Sequence, residues 1–134
     1  MPDLYSHFAR KATAVGAVVT TAPDVDSARA TAGHDEGDRI VDGVFAVAET
    51  GSVAVALPRA ERAEALLSDR LWLLVPGGEL VATLDEALGR IDALVREGRP
   101  YVTLMTGPSR TADIERALTV GVHGPRELHV VLVG

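Results

Sequence analysis

Apolar positions along the chain follow two periods. Leu4, Phe8, Ala12 and Val15 recur at near-helical spacing and stop at Gly16, which predicts a helix followed by a short β-branched strand over residues 17–21. The weakly periodic stretch 23–39 predicts one short helix over 25–31 and then a loop. Aliphatic runs at 44–48 and 52–57 flank Glu49, Thr50 and Gly51, a pattern that fits two strands with a tight reversal or one strand with a glycine bulge. Residues 59–67 predict a polar-faced helix. Residues 70–75, with Trp72 as a core residue, predict a buried strand closed by Pro76, Gly77 and Gly78.

The sharpest local signal follows. Thr83 and Glu86 form a capping box, and Leu84, Leu88, Ile91 and Val95, joined by Ala87 and Leu94, predict the buried face of a helix that Gly98 and Pro100 end. Two further apolar strands, 101–105 and 128–133, flank a stretch reading turn, short helix, turn. There Gly107 and Pro108 break the first strand, Ser109 and Thr111 offer hydroxyl caps, and Asp113 and Glu115 put negative charge in the first helical turn. Helices and strands alternate without internal repeat. The prediction is an α/β fold, a layered parallel-rich sheet flanked by helices with right-handed crossovers, forming one domain over residues 1–134.

Composition narrows the function. With 47% hydrophobic but only 4% aromatic residues, the core is expected to consist of small aliphatic side chains. A net charge of -6, with the basic residues dispersed, argues against nucleic acid and against an anionic membrane surface. The chain has no cysteine, which excludes disulfides, thiolate nucleophiles and cysteine-ligated clusters or zinc. No basic segment followed by an apolar one opens the sequence, so the expected location is cytoplasmic. His34, Asp35, Glu36 and Asp38 carry metal-ligand side chains, yet they lie between glycines with no frame to fix coordination; the reading is a solvated acidic loop, and no metal site is expected.

Two turns hold the candidate chemistry. A helix start after Gly107 would aim unpaired N–H groups and a positive dipole end at a guest, and Arg110 adds a planar fork suited to carboxylate or phosphate, so a small anionic ligand is expected there. The same turn is also what any α/β connection uses. Glu49, at the tip of an apolar strand, stands where such sheets place catalytic acids, although a glutamate in a turn is commonly just exposed. Ligands of these sheets bind beyond the carboxyl ends of the strands, and both turns are expected on that edge. His123 suits either a general acid or base, with an unperturbed pKa near 6.5, or a hydrogen bond holding its loop; the structural role is preferred. His129 lies on the face of the last strand opposite to its neighbours, packed by a helix or facing solvent.

Taken together, the run from Ala48 to Ser52, the run from Gly107 to Glu115, and Gly121, Val122, His123, Gly124 and Pro125 before an apolar strand resemble the lactate utilisation protein C family, the LUD domain. The likeness covers residues 41–134, with 1–40 a shortened N-terminal part. The resemblance implies a fold similar to the sugar-phosphate isomerase and CoA-transferase superfamily. It also implies a part, alongside iron-sulfur partner proteins that hold the clusters, in oxidising L-lactate to pyruvate. The matching motif positions are Glu49, Thr50, Gly51, Gly107, Ser109, Arg110, Thr111, Asp113, His123, Gly124 and Pro125. Family members are usually longer, with a further strand and helix where this chain has residues 27–42. One wall of a pocket is therefore missing or supplied by a second subunit, and a homodimer burying that edge is one expectation. Where relatives carry a Pro-rich turn and a histidine, this chain has Ser68, Asp69 and Arg70. An enzyme in which Glu49 is nucleophile or base towards an acyl-CoA or sugar phosphate is the alternative to a cluster-free component that binds an anion or docks partners.

Overall fold

The computed structural model describes residues 3–32, 35–99, 101–108, 111–112 and 125–134. Helix α1 (Leu4–Ala14) starts where the Asp3 carboxylate accepts from the Tyr5 N–H at 3.2 Å, and it ends in a Schellman turn, with the Ala17 N–H on the Ala12 carbonyl and the Gly16 N–H on that of Thr13. Strand β1 (Val18–Ala22) and helix α2 (Val25–Thr31) follow, then β2 (Asp38–Asp42). Strands β3 (Phe45–Val47) and β4 (Ser52–Ala56) form an antiparallel hairpin, which decides for two strands rather than one bulged strand. Helix α3 (Arg59–Leu66), β5 (Arg70–Pro76), β6 (Leu80–Val81), α4 (Leu84–Arg96), β7 (Val102–Met105), β8 (Thr111–Ala112) and β9 (Glu127–Val133) complete the described chain.

The α/β class holds, and the strands divide between two sheets. One is wholly parallel in the order β1-β9-β5-β2; the other runs β6-β3-β4-β7-β8, parallel only between β3 and β6. Their facing surfaces enclose the main core. Leu71, Leu73 and Val75 of β5 with Leu128, Val130 and Leu132 of β9 meet Ala46, Val53 and Val55 of the second sheet, and Phe8 and Ala12 of α1 join them. Outside the second sheet, α4 lays Ala87, Ile91 and Leu94 on Phe45, Val47, Ala54 and Val81; outside the first, Ala28 of α2 covers Leu74 and Val131. Alternation along β5 and β9 thus serves two apolar interfaces at once. That is why both strands read as near-continuous apolar runs.

Three expectations change. Thr111 and Ala112 do not open a helix: they pair antiparallel with Met105 and Leu104, and the ladder satisfies backbone groups that the capping reading had assigned to a helix start. A β-branched threonine suits that strand. Strand β2 was hidden by its charged ends, Asp38 and Asp42, since an edge strand buries little. On α4 the apolar residues split: Ala87, Ile91 and Leu94 face the sheet, while Leu84, Leu88 and Val95 stand in solvent.

The acidic loop before β2 is likewise more than solvated. Asp38, whose side chain is only 3% exposed, accepts from Arg70 Nε at 2.7 Å and from the Asp35 N–H at 3.2 Å, and the Asp35 carboxylate also pairs with Arg70. Two residues further along β5, Trp72 is partly buried and packs against the Ala28, Leu74 and Val131 cluster, as a core-edge residue; it stacks on His129 with ring centroids 3.9 Å apart, and His129 Nε2 lies 2.9 Å from a Glu127 oxygen. Burial on its own would push the Asp38 carboxyl up, but the Asp35 N–H and the Arg70 guanidinium outweigh it and hold the group below its ordinary value. A carboxyl with a depressed folded pKa contributes stability above its unfolded pKa of about 3.9, and that contribution fades as pH falls through the folded value. The difference in unfolding free energy between the native chain and Asp38→Asn, from urea titrations, is therefore expected to be full above pH about 4 and to shrink below it. A difference that stays constant with pH would show that ionisation of Asp38 plays no part.

Candidate functional site

Both motif turns come to one place, the end of α1. The hairpin turn between β3 and β4 is closed by the Gly51 N–H on the Val47 carbonyl at 2.9 Å, and Gly51 adopts φ +70°. A Cβ there would stand 2.5 Å from the Ala12 nitrogen and 2.6 Å from the Lys11 carbonyl carbon. Gly107, at φ +74°, presses on the Val15 carbonyl oxygen in the same way, and Pro108 lies against Gly16. Only a residue without a side chain permits either approach, and both φ values disfavour L side chains as well. The two glycines singled out in the sequence thus serve backbone-to-backbone packing on α1.

Hydroxyls join the turns to each other. Thr50 Oγ1 lies 2.7 Å from Ser52 Oγ, which lies 2.6 Å from Thr106 Oγ1 at the end of β7. Ser52 is 2% exposed, a buried polar residue fully satisfied by its two neighbours. A hydroxyl can donate and accept, so Ser52 can donate to one threonine while accepting from the other. Sequence reading did not count Ser52 and Thr106 as site residues. The available signal was the hydroxyl flanking glycine in both turns, Thr50-Gly51-Ser52 and Thr106-Gly107.

Glu49 is turned towards α4. Its Oε1 accepts from the Leu84 N–H at 2.7 Å, while Thr83 Oγ1 accepts from the Glu86 N–H at 3.2 Å, so two of the four N–H groups left over at the helix start are satisfied. The reciprocal half of the capping box is replaced by a contact of 3.3 Å between the Thr83 hydroxyl and Glu86 Oε1. The Glu49 N–H is itself held by the Ala82 carbonyl at 3.1 Å. A carboxylate at a helix N-terminus is favoured by the dipole as well as by the hydrogen bond.

The turns face each other, but not where expected. They lie at the carboxyl ends of β3, β6 and β7, and beside the start of β1; the carboxyl edge of the parallel sheet is elsewhere, where Gly77 and Gly134 bond the ends of β9 and β1. The reason is the tie to α1, which delivers the chain to the amino end of β1. Among the predicted site residues, the structure brings together Glu49, Thr50, Gly51 and Gly107, with Thr111 following in β8. Ser109, Arg110, Asp113, His123 and Gly124 lie outside the described residues, as does the helix predicted beyond Thr111. Pro125 is buried just before β9. Among the described residues no three His, Asp or Glu side chains are grouped to hold a metal ion, and no helix is long and apolar enough to cross a membrane.

Comparison with known proteins places this arrangement. The family model described as the LUD domain matches residues 40–133, from the middle of β2 to the end of β9. The chain belongs to the LUD domain family. Proteins called lactate utilization protein C are similar to it: that of Deinococcus radiodurans is 38% identical over 103 residues, covering 75% of this chain and 48% of the relative. Those of Exiguobacterium sp. and Shouchella clausii are 36% and 34% identical, covering 74% and 65% of this chain and 44% and 39% of their own lengths. This LUD chain thus spans about half the length of the curated relatives it matches or less. In fold it is similar to a crystal structure of a DUF162 family protein from Deinococcus radiodurans, with a TM-score of 0.71 and 23% identity over 98% of this chain and 96% of that one.

The packing explanation of the glycines is open to a direct check. Gly51→Ala and Gly107→Ala should each destabilise the domain by about 2–4 kcal/mol in urea unfolding, the sum of a strained φ and an overpacked contact. Gly89, in the middle of α4 with open space around it, provides the control: Gly89→Ala should stabilise by about 1 kcal/mol. Equal effects at all three positions would remove the seat on α1 as the reason for the motif glycines.

Proposed function

We propose that this LUD chain is a cluster-free component of L-lactate oxidation to pyruvate that holds a small anionic ligand at the junction of its two motif turns. The observation that carries the reading is the hydroxyl chain from Thr50 through Ser52 to Thr106. It draws the turn bearing Glu49 and the turn bearing Gly107 to one place, and Ser109 and Arg110 follow Gly107 and Pro108 in the sequence. The names of the similar proteins, lactate utilization protein C, point to lactate utilisation, and the oxidation step is our reading of it. Oxidation of lactate to pyruvate releases two electrons and two protons. With no cysteine to ligate a cluster, the chain is read as supplying binding and docking while iron-sulfur partner proteins take the electrons.

Glu49 has a positioning role in this reading. Its engagement with the first N–H of α4 favours a carboxylate that sets the turn against the helix over one that attacks an acyl-CoA or sugar phosphate. Arg110 supplies the charge complement for a carboxylate or phosphate.

Calorimetric and thermal-shift titration of the purified chain with L-lactate, pyruvate, CoA esters and sugar phosphates provides the test. A ligand at one hundred times its dissociation constant is expected to stabilise the fold by about 2.7 kcal/mol. Arg110→Ala should abolish that shift and Glu49→Gln, which keeps an acceptor oxygen for Leu84, should retain it. Absence of any shift, with growth on L-lactate unchanged on deleting the gene, would reject the reading. Turnover of an acyl-CoA lost in Glu49→Gln would put the enzymatic alternative in its place.

A further inference from the structure

The exposed ridge of α4 groups three of the exposed large hydrophobic residues found among the described residues. Leu84, Leu88 and Val95 are 37%, 54% and 46% exposed, and Ile91 lies between them, only partly buried against the second sheet. The four positions are spaced four, three and four residues apart, the repeat by which one helix seats its side chains between those of another. A monomer gains nothing from two leucines and a valine in water on a helix whose sheet-facing contacts are already made by Ala87, Ile91 and Leu94.

Two further features point to the occupant. The ridge is symmetric about a point midway between residues 89 and 90, so an antiparallel second α4 would set Leu84 against Val95 and Leu88 against Ile91, a γ-branched side chain against a β-branched one at every contact. Charge is also unevenly placed along the same helix: Asp85 and Glu86 lie in its first turn and Arg96 in its last, with Glu97 as the C-cap. Antiparallel copies bring acids of one beside bases of the other and oppose the helix dipoles; parallel copies would stack like on like. Arg96, held 3.1 Å from Asp92 on its own helix, lies on the charged flank of the ridge with Asp85.

We propose that α4 is a homodimer interface, in which two copies of this chain pair antiparallel about a two-fold axis through the Leu84, Leu88, Ile91 and Val95 ridge. The ridge starts at Leu84, whose N–H Glu49 accepts, and from there runs along the outer face of the second sheet. The pairing stands or falls separately from the functional reading above.

Analytical ultracentrifugation of the chain from about 1 µM upward is expected to show mass rising from 14.1 kDa towards twice that value. Leu88→Glu should raise the dissociation constant at least about tenfold while leaving the circular dichroism spectrum unchanged, because Leu88 is exposed within the monomer. Asp85→Arg should weaken pairing and the double variant Asp85→Arg/Arg96→Asp should restore it. Since the chain has no cysteine, Leu84→Cys/Val95→Cys should oxidise to a covalent dimer. The two positions, eleven residues apart on one helix, are separated by about 16 Å and cannot bridge within a chain. A monomer at all concentrations, a dimer indifferent to Leu88→Glu, or a dimer that the paired cysteines fail to crosslink would each overturn the proposal.

Discussion

The arrangement of this domain depends on the last turn of α1 being approached by two other backbones. Gly51 and Gly107 each come so close to residues 11–15 that no side chain fits between. Because α1 also delivers Phe8 and Ala12 to the space between the sheets, its position is fixed from two sides, by apolar burial and by backbone contact. The β3–β4 hairpin and the end of β7 are therefore registered against the first sheet through a helix, and not through strand pairing. Two sheets with no shared hydrogen-bond ladder in the described chain need such a clamp, since packing of small aliphatic side chains alone tolerates sliding.

The clamp brings hydroxyls together at the junction of the two turns. Once the turns are seated on α1, Ser52 is buried, and a buried hydroxyl must find partners; Thr50 and Thr106 are within reach only because both turns are in place. The hydroxyl chain thus reports correct assembly of three separate segments. Glu49 extends the same logic to α4, whose first N–H it accepts, so that four elements converge on about four residues of turn. A ligand drawn to this junction would sense the registry of the whole domain.

How much of this was legible in the sequence follows from range. The helix at 25–31, the capped start of α4 and the apolar strands β5 and β9 are each specified within a few residues, by a cap, a glycine or an uninterrupted aliphatic run, and the structure shows them there. Strand β2 was not legible, because its Asp38 is stabilised by Arg70, thirty-two positions away, and nothing local announces that pair. Thr111 pairs with Met105 in a strand although Ser109 and Thr111 read locally as helix-capping residue types. At the site, the motif residues were visible as glycines and hydroxyls, but their purpose was not. The surface that requires a glycine belongs to α1, some forty residues from one turn and ninety from the other.

Gly51 and Gly107 are required by packing whatever the domain binds, so their presence in a related chain speaks for the fold and not for the activity. Glu49 is intermediate: a neutral acceptor could satisfy Leu84, yet the dipole of α4 prefers a carboxylate there. A guanidinium suits charge-assisted hydrogen bonds to carboxylate or phosphate, so among the motif positions Arg110 is the one whose residue type answers to the proposed anion. Its replacement in a relative that keeps both glycines would separate the fold from the proposed ligand.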